Sequence, residues 1–522
     1  MGKSKTMSDH IFRKEEVINR LEPYLGMLLG DIDNRGVFDH VQQFNLQKGV
    51  AGHVVEQCIF EYPPDSRQEA DLIIIEQTGE RIKTELKTTG MVIRRSPQEH
   101  YEAKEPMSIT AVGVYDIGNQ EFYTSHFWEK LEHMLIVYYH YAAERRRITA
   151  YDYKDFPMIG YEFHRFSEDE EAALKHDWET VRNLCLEVVS RHPGERTNDW
   201  RSAVKEDYID SHGVLRPQLS YVDLAPLFPP RFRLKKPTVS AMIASHFGYN
   251  LEQLPGRYTY ITDIDSRCHE LTSLYAGKTI GELADNFSIP RTAATGREGK
   301  GIAELIAVRM FGGTTKKLNS IDIIQRFGLI AKTVVLNSRG GRTEDMKLFR
   351  IDFEELVQTE ISDDGGTVRE FEFEDSEIYA YFTNYELLCI MYEEPSVRPG
   401  ETHRLVDNRF LGFKRLVFSN EFINSTVRRC WYDTRMKVLT NTLEDIVRRD
   451  SIGEPIINRS GDISSAPNFI KSRENEVFLR GSGADSSLRH KTECVNGIRM
   501  LPQYVWLKGK AVVDELNNIP LL

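Results

Sequence analysis

Residues 71–90 read DLIIIEQTGERIKTELKTTG. Two apolar, β-branched runs, LIII and IKTELK, flank the turn-forming EQTGE, so a β-hairpin is expected. Side chains alternate along a strand, which puts Glu85 and Lys87 on one face, with Asp71 at the start of the hairpin. Two chemistries fit this pattern. A lysine beside acids makes an ordinary cross-strand salt bridge. The same residues also offer hard oxygen donors: Asp71, Glu85 and the peptide carbonyl of Leu86 suit Mg²⁺, which takes oxygens at about 2.0–2.1 Å and keeps several waters. Such a metal polarises a phosphoryl oxygen and lowers the pKa of a bound water. Lys87 can then orient the attacking water or offset charge on a phosphorane-like transition state. That set performs phosphodiester hydrolysis. On these residues alone the two readings weigh equally.

The elements that must position these side chains occur twice along the chain. LQKGVAGHVVEQ (46–57) parallels EGKGIAELIAVR (298–309), each a Lys-Gly followed by a helix of period 3.6. ELKTTGMVI (85–93) parallels IAKTVVLNS (330–338), each placing Lys-Thr at the same point of a strand. The offsets are 252 residues (300 − 48) and 245 (332 − 87), so the second copy has a shortened hairpin. An internal duplication is expected, with residues 1–250 as one domain, 251–269 as a linker broken by Pro and Gly, and 270–522 as the second domain. The expected fold is α/β, a mixed sheet flanked by helices, present twice. The copies differ where chemistry would sit. Glu56 is matched by Val308 and Glu85 by Ile330, while Lys87 is matched by Lys332. Asp322 is the acid the second copy could retain. One working domain and one binding or regulatory domain follow.

The 522 residues suffice for two or three domains with full cores. With 40 % hydrophobic and 28 % charged residues the composition is that of a soluble globular chain. No apolar run reaches a membrane span, and MGKSKTMSDH lacks the apolar core of a signal peptide. Six cysteines stand singly, without metal spacing, which favours a reducing cytoplasm and argues against zinc. The net charge of −12 does not exclude DNA, since a local basic groove decides phosphate contact. Basic clusters lie at 93–96, 144–147 and 231–236. The helical run 168–189 has apolar spacing for a core face, so its acids are expected at the surface.

Asp…Glu-x-Lys on a hairpin resembles the core of the PD-(D/E)xK nucleases, and longer stretches resemble the MutH mismatch-repair endonuclease family. KGVAGHVVE (48–56) is similar to the family's motif helix, ending in the catalytic glutamate, here Glu56. ELKTTG (85–90) is similar to its catalytic strand. TSHFWEKL (124–131) is similar to its Thr-Ser-His segment, whose lysine reaches the active site, here Lys130; His126 is more ordinarily structural. RFRLKKPTVSAMIASHF (231–247) is similar to its C-terminal strand and helix, and YAGKTIGELAD (275–285) to its opening helix. Two such domains, the second without carboxylates, resemble the duplicated GATC-cutting type II restriction endonucleases. That resemblance implies a Mg²⁺-dependent enzyme acting on double-stranded DNA, monomeric in solution and able to associate on DNA, whose second domain binds a second site and regulates the first. It implies catalytic roles for Glu56, Asp71, Glu85, Lys87 and Lys130, and DNA contacts by Arg216, Gln218, Arg233 and Lys235, with Arg480 and Trp506 in the second copy.

Three departures stand out. The interval from Asp71 to Glu85 is longer than in the mismatch-repair enzyme, which leaves Asp65 as an alternative aspartate. The recognition loop reads Arg216-Pro217-Gln218 where the family has Arg-Pro-Lys. Arg233 replaces an adenine-sensing aromatic. A strand-nicking repair enzyme and a DNA-binding regulator without catalysis are the alternatives; the duplication argues against the first and the intact carboxylate–lysine set against the second.

Overall fold

The computed structural model describes residues 10–44, 49–62, 70–94, 99–142, 149–225, 228–249, 251–291, 299, 301–342, 344–362, 368–396, 398, 403–458 and 460–522. Asp65, Lys48 and the basic run 144–147 lie outside the described residues. The first half carries β1 (Ile11–Arg13), β2 (Leu72–Ile75), β3 (Arg81–Arg94), β4 (His100–Ala103), β5 (Met107–Ala111), β6 (Met134–His140), β7 (Met158–His164), β8 (Val222–Leu224) and β9 (Arg231–Leu234). The expected hairpin forms as β2 and β3, with Leu72 opposite Thr84 and Ile75 opposite Arg81. Gly79 closes its turn at φ +85°, a conformation that glycine adopts without steric cost. The main sheet runs β1-β2-β3-β6-β7, with β4 on the far end of β3. Its central strand β6, MLIVYYH, is buried along nearly its whole length, as a strand covered on both faces requires. A second, antiparallel sheet runs β5-β9-β8.

The second half carries β10 (Leu329–Leu336), β11 (Met346–Arg350), β12 (Glu360–Ser362), β13 (Val368–Glu370), β14 (Glu386–Glu393), β15 (Arg409–Leu416), β16 (Asp445–Val447), β17 (Ser465–Pro467), β18 (Val477–Gly481), β19 (Glu493–Val495), β20 (Ile498–Met500) and β21 (Gln503–Leu507). Strand β10 is parallel to β14, and β14 antiparallel to β15, which are the directions of β3, β6 and β7. The order β11-β21-β18 is antiparallel throughout, like β5-β9-β8. Local bonds repeat as well. Gly26 N donates to Met158 O (2.7 Å) and Leu29 N to Phe156 O (2.9 Å), while Gly277 N donates to Phe410 O and Ile280 N to Asn408 O, both at 2.8 Å. Ser125 caps its helix by accepting from Trp128 N, and Ser376 does the same for Tyr379 N, both at 3.2 Å.

Two expectations are corrected here. Helix Ile261–Tyr275 begins inside the segment 251–269 expected to be a linker, because Asp263 accepts the N–H groups of Thr259 and Tyr260 at 2.7 and 2.8 Å and so starts the helix early. Asp177 is not a surface acid. It is fully buried in helix Glu168–Ser190 and accepts the backbone N–H groups of Ser220, Tyr221 and Val222 at 2.8–3.1 Å, which satisfies its charge at the entry to β8.

The halves meet over one continuous apolar core that includes Met91, Tyr138 and Val239 from the first and Ile264, Tyr392 and Phe413 from the second. Ionic contacts pin the seam. Arg415, paired on its own side with Asp265 (2.5 Å) and Glu386 (2.5 Å), donates across the seam to the carbonyl of Pro217 (3.0 Å). Arg326 joins Glu170 at 2.5 Å and Asp322 at 3.1 Å. Among the described residues no helix is long and apolar enough to cross a membrane.

Candidate active site

The hairpin delivers Asp71 and Glu85 side by side. Asp71 Oδ2 accepts the Leu86 backbone N–H at 2.9 Å, which fixes the aspartate against the edge of β3. Glu85 lies opposite Met134 in the parallel ladder and is 2 % exposed. Lys87, two residues on and therefore on the same face, donates to Glu85 Oε1 at 2.9 Å. Lys130 follows helix His126–Glu129 and donates to the same oxygen at 2.8 Å. Two ammonium groups thus converge on one carboxylate oxygen. The other, Oε2, is buried and meets no partner among the described residues.

Burial pushes the Asp71 carboxyl up to about 6, and repulsion from Glu85 adds to this; the Leu86 N–H, Lys87 and Lys130 oppose it. Two acids whose charges repel, with one oxygen bare, are what a hard divalent cation relieves. The donor set is all oxygen, as Mg²⁺ requires. Asp71 and Glu85, with the carbonyl of Leu86, the residue after Glu85, fit that ion. Among the described residues no three His, Cys, Asp or Glu side chains converge as a metal cage. Glu56 comes from a π-helical turn, Val55–Ile59, continuing helix Val50–Val54. A Cβ placed on Gly52 would stand 3.5 Å from Thr88 Oγ1 and 3.9 Å from Glu56 Oε1, so this helix brings Glu56 to β3 beside Thr88.

The same positions in the second half are stripped of acids. Ala331 N donates to Asn319 Oδ1 at 2.9 Å, so Asn319 holds the place of Asp71. Val308 is buried and Ile330 packs on the second-half core in the places of Glu56 and Glu85. Lys332 remains. Counting from the matched serine caps, Tyr381 stands where Lys130 stands, each five residues on. Asp322 is not the retained acid, because it is paired with Arg326 at the seam. Neither Asn319 nor Tyr381 was singled out from the sequence. The repeated serine caps were the available signal.

The expected DNA-contacting residues are placed unevenly. Arg216 donates to Asn420 Oδ1 and the carbonyl of Phe382, both in the second half, and burial lowers its pKa. Lys235 is 3 % exposed and donates to Leu219 O at 2.6 Å, so it is an interior group rather than a phosphate contact. Arg233 is held by Asp223 through two bonds, 3.0 and 2.7 Å. Gln218 is exposed and donates to Val214 O at 2.9 Å. His126 is exposed, 3.5 Å from Glu129. Arg480 and Trp506 come together on neighbouring strands: the guanidinium lies 5.0 Å from the indole, and Trp506 Nε1 donates to Arg480 O at 3.1 Å.

Residues 60–177 match the family model described as DNA mismatch repair enzyme MutH. That span contains Asp71, Glu85, Lys87 and Lys130. The chain is also 21 % identical over 432 residues to the type II restriction enzyme Sau3AI of Staphylococcus aureus, covering 79 % of this chain and 82 % of the relative.

Proposed function

From a chain that carries a MutH-like domain, we propose a cytoplasmic type II restriction endonuclease that makes Mg²⁺-dependent double-strand cuts in DNA at a defined site, GATC or a related sequence. The observation that carries this reading is the convergence of Lys87 and Lys130 on Glu85 Oε1, beside Asp71 and with Oε2 left bare. Residues 1–250 are the catalytic domain, and 270–522 a DNA-binding, regulatory domain without catalysis. The repeated strand order and the substitutions Val308, Asn319 and Ile330 favour that division.

Asp71 and Glu85 would hold Mg²⁺, which supplies Lewis-acid polarisation of the scissile phosphate and a more acidic bound water. Lys87 and Lys130 hold Glu85 in place through Oε1, and present N–H donors where charge builds on the phosphate oxygens. The products are a 5′-phosphate and a 3′-hydroxyl. Glu56, next to Thr88, supplies a further acid on the helix side of β3. Exposed Gln218 and Arg480, half-buried Trp506, and Arg233 with its Asp223 partner, form the surfaces for backbone and base contact.

A supercoiled plasmid incubated with Mg²⁺ tests the reading. Linear product supports it, a nicked circle supports the strand-nicking alternative, and unchanged plasmid removes catalysis altogether. Sequencing the ends fixes the recognition site.

A further inference from the structure

We propose that the second half has converted the metal position into a metal-free phosphate seat built on Lys332, with Arg342 and Lys347 beside it. This rests on the reading of the second half as a DNA-binding domain, and adds how it holds the backbone.

The charge balance carries the argument. In the first half two acids, Asp71 and Glu85, face two lysines, Lys87 and Lys130. In the second half Val308, Asn319 and Ile330 are neutral and Lys332 is kept. A site that attracted a cation is left attracting an anion. Lys332 Nζ donates to Lys347 O at 2.7 Å, which spends one of its three N–H bonds and fixes the ammonium between β10 and β11. Lys332 is in register with Cys389 on β14, a buried thiol that also feels the charges of Arg342 and Lys414. The Arg342 Nη1 is buried and meets no partner among the described residues, and the same holds for the hydroxyl of Tyr381, at the Lys130 position. Buried donors without acceptors are costly, and a phosphate oxygen is the acceptor that suits them.

Lys347 projects from the same strand whose backbone binds Lys332. Its ammonium lies 3.4 Å from the Tyr504 ring centre and 3.0 Å from Ser482 Oγ. Tyr504 sits on β21 with Trp506, and Trp506 meets Arg480. The seat is therefore continuous with the aromatic–arginine surface expected to meet bases.

Three groups face Lys332: Cys389 from β14, Glu304 from helix Ile302–Met310 and Lys347 from β11. Burial depresses the lysine to about 8, with Lys347 adding to this. Burial also raises the Glu304 carboxyl, with Lys317, the Leu318 N–H and Lys332 opposing. A phosphate bound there favours the protonated lysine, and binding should weaken as pH rises through 8.

The test uses the full chain in EDTA with a fluorescent duplex carrying the target site, titrated over a salt series at pH 7 and pH 9. Lys332→Gln should weaken the second duplex-binding event about tenfold and lower the log–log salt slope by about 1, the value of one phosphate contact. Lys332→Arg should retain both and lose the pH dependence. Ile330→Glu, which returns an acid beside Lys332, should weaken metal-free binding at least as much, and covers the case in which Lys332→Gln fails to fold. If Arg480→Ala abolishes the second event while Lys332→Gln and Ile330→Glu leave affinity and slope unchanged, the seat is wrong and the DNA-binding reading stands. If only one duplex binds and neither Arg480→Ala nor Lys332→Gln alters it, the DNA-binding reading falls and the seat with it.

Discussion

Asn319 accepts the N–H of Ala331 as Asp71 accepts the N–H of Leu86, at 2.9 Å in both halves. Ala331 precedes Lys332 and Leu86 precedes Lys87, so the bond sits at the same step of the same strand. Only the charge differs. Asp71 therefore does two separable things: it holds a strand edge, which a neutral amide also does, and it offers an anionic oxygen, which an amide cannot.

Asp71→Asn should therefore fold normally and lose cleavage. Its stability follows from the raised carboxyl, about 6 in the fold against 3.8 for an ordinary aspartate. A raised acid disfavours its own ionised form, so wild type carries a cost above pH 6 that disappears below about pH 4. That cost is bounded by about 3 kcal/mol, from roughly two pKa units at about 1.4 kcal/mol each. In EDTA at pH 8 the variant should melt higher than wild type, and the gap should close by pH 4. Equal melting at both pH values would remove the strained-carboxylate argument.

The same group sets a pH limb for activity. Metal ligation needs the carboxylate, so proton and metal compete for it. Cleavage should fall as pH drops through about 6, and raising Mg²⁺ should move that limb to lower pH. A limb indifferent to Mg²⁺ would point to another titrating group.

Glu85→Gln, Lys87→Ala and Lys130→Met should each lower the cleavage rate by about 10²–10³ or more, as loss of one transition-state donor or ligand commonly does. DNA binding should change little, because these groups act on the reacting phosphate rather than on the duplex. Any of the three cutting within threefold of wild type would take that residue out of the site. Ca²⁺, larger and looser in coordination, should support binding without cutting.

The hairpin and its lysine were legible because β-branched runs, a Thr-Gly turn and strand alternation are local signals. Lys130 was reachable only through the resemblance, since in sequence it sits among Glu129 and Glu132 like any solvated helix face. Asn319 was not legible: the offset between the copies drifts from 252 to 245 across this region, and an asparagine in a polar loop carries no signature until its bond to β10 is seen. Arg216 and Lys235 misled for a physical reason. Composition shows a cation, but burial depends on what packs over it, and here Lys235 is buried on Leu219 while Arg216 is half-buried against Phe382 and Asn420. The shared seam is a tertiary fact that neither copy encodes alone.

The seam gives its own test. Arg415 is 10 % exposed and compensates Glu386, at 4 %, together with Asp265. Arg415→Ala would leave a buried acid unpaired, which typically costs about 3–5 kcal/mol. A large fall in melting temperature is expected, and Glu386→Gln in the same chain should recover part of it. If Arg415→Ala melts within a degree or two of wild type, Glu386 does not depend on Arg415 for its compensation.

The last expectation concerns traffic between the two halves. Residues 270–522 lack every carboxylate of the first site, so they should not cut under any metal, and their contribution to activity must come through binding. Binding can stimulate the first half only if duplex DNA prefers the active arrangement of the chain over the resting one, and the stimulation is limited by that difference in affinity. The seam is where such a difference can act, since Arg216 and Arg415 tie the loop preceding β8 to residues 382–420. A plasmid with two target sites, or a one-site plasmid supplemented with an uncleavable target duplex, should be cut several-fold faster than a one-site plasmid alone. Arg480→Ala should abolish the stimulation while leaving the one-site rate in place, because Arg480 lies far in sequence from Glu85 and on a separate sheet. Equal rates on one-site and two-site DNA, unmoved by added duplex, would reduce the second half to a scaffold.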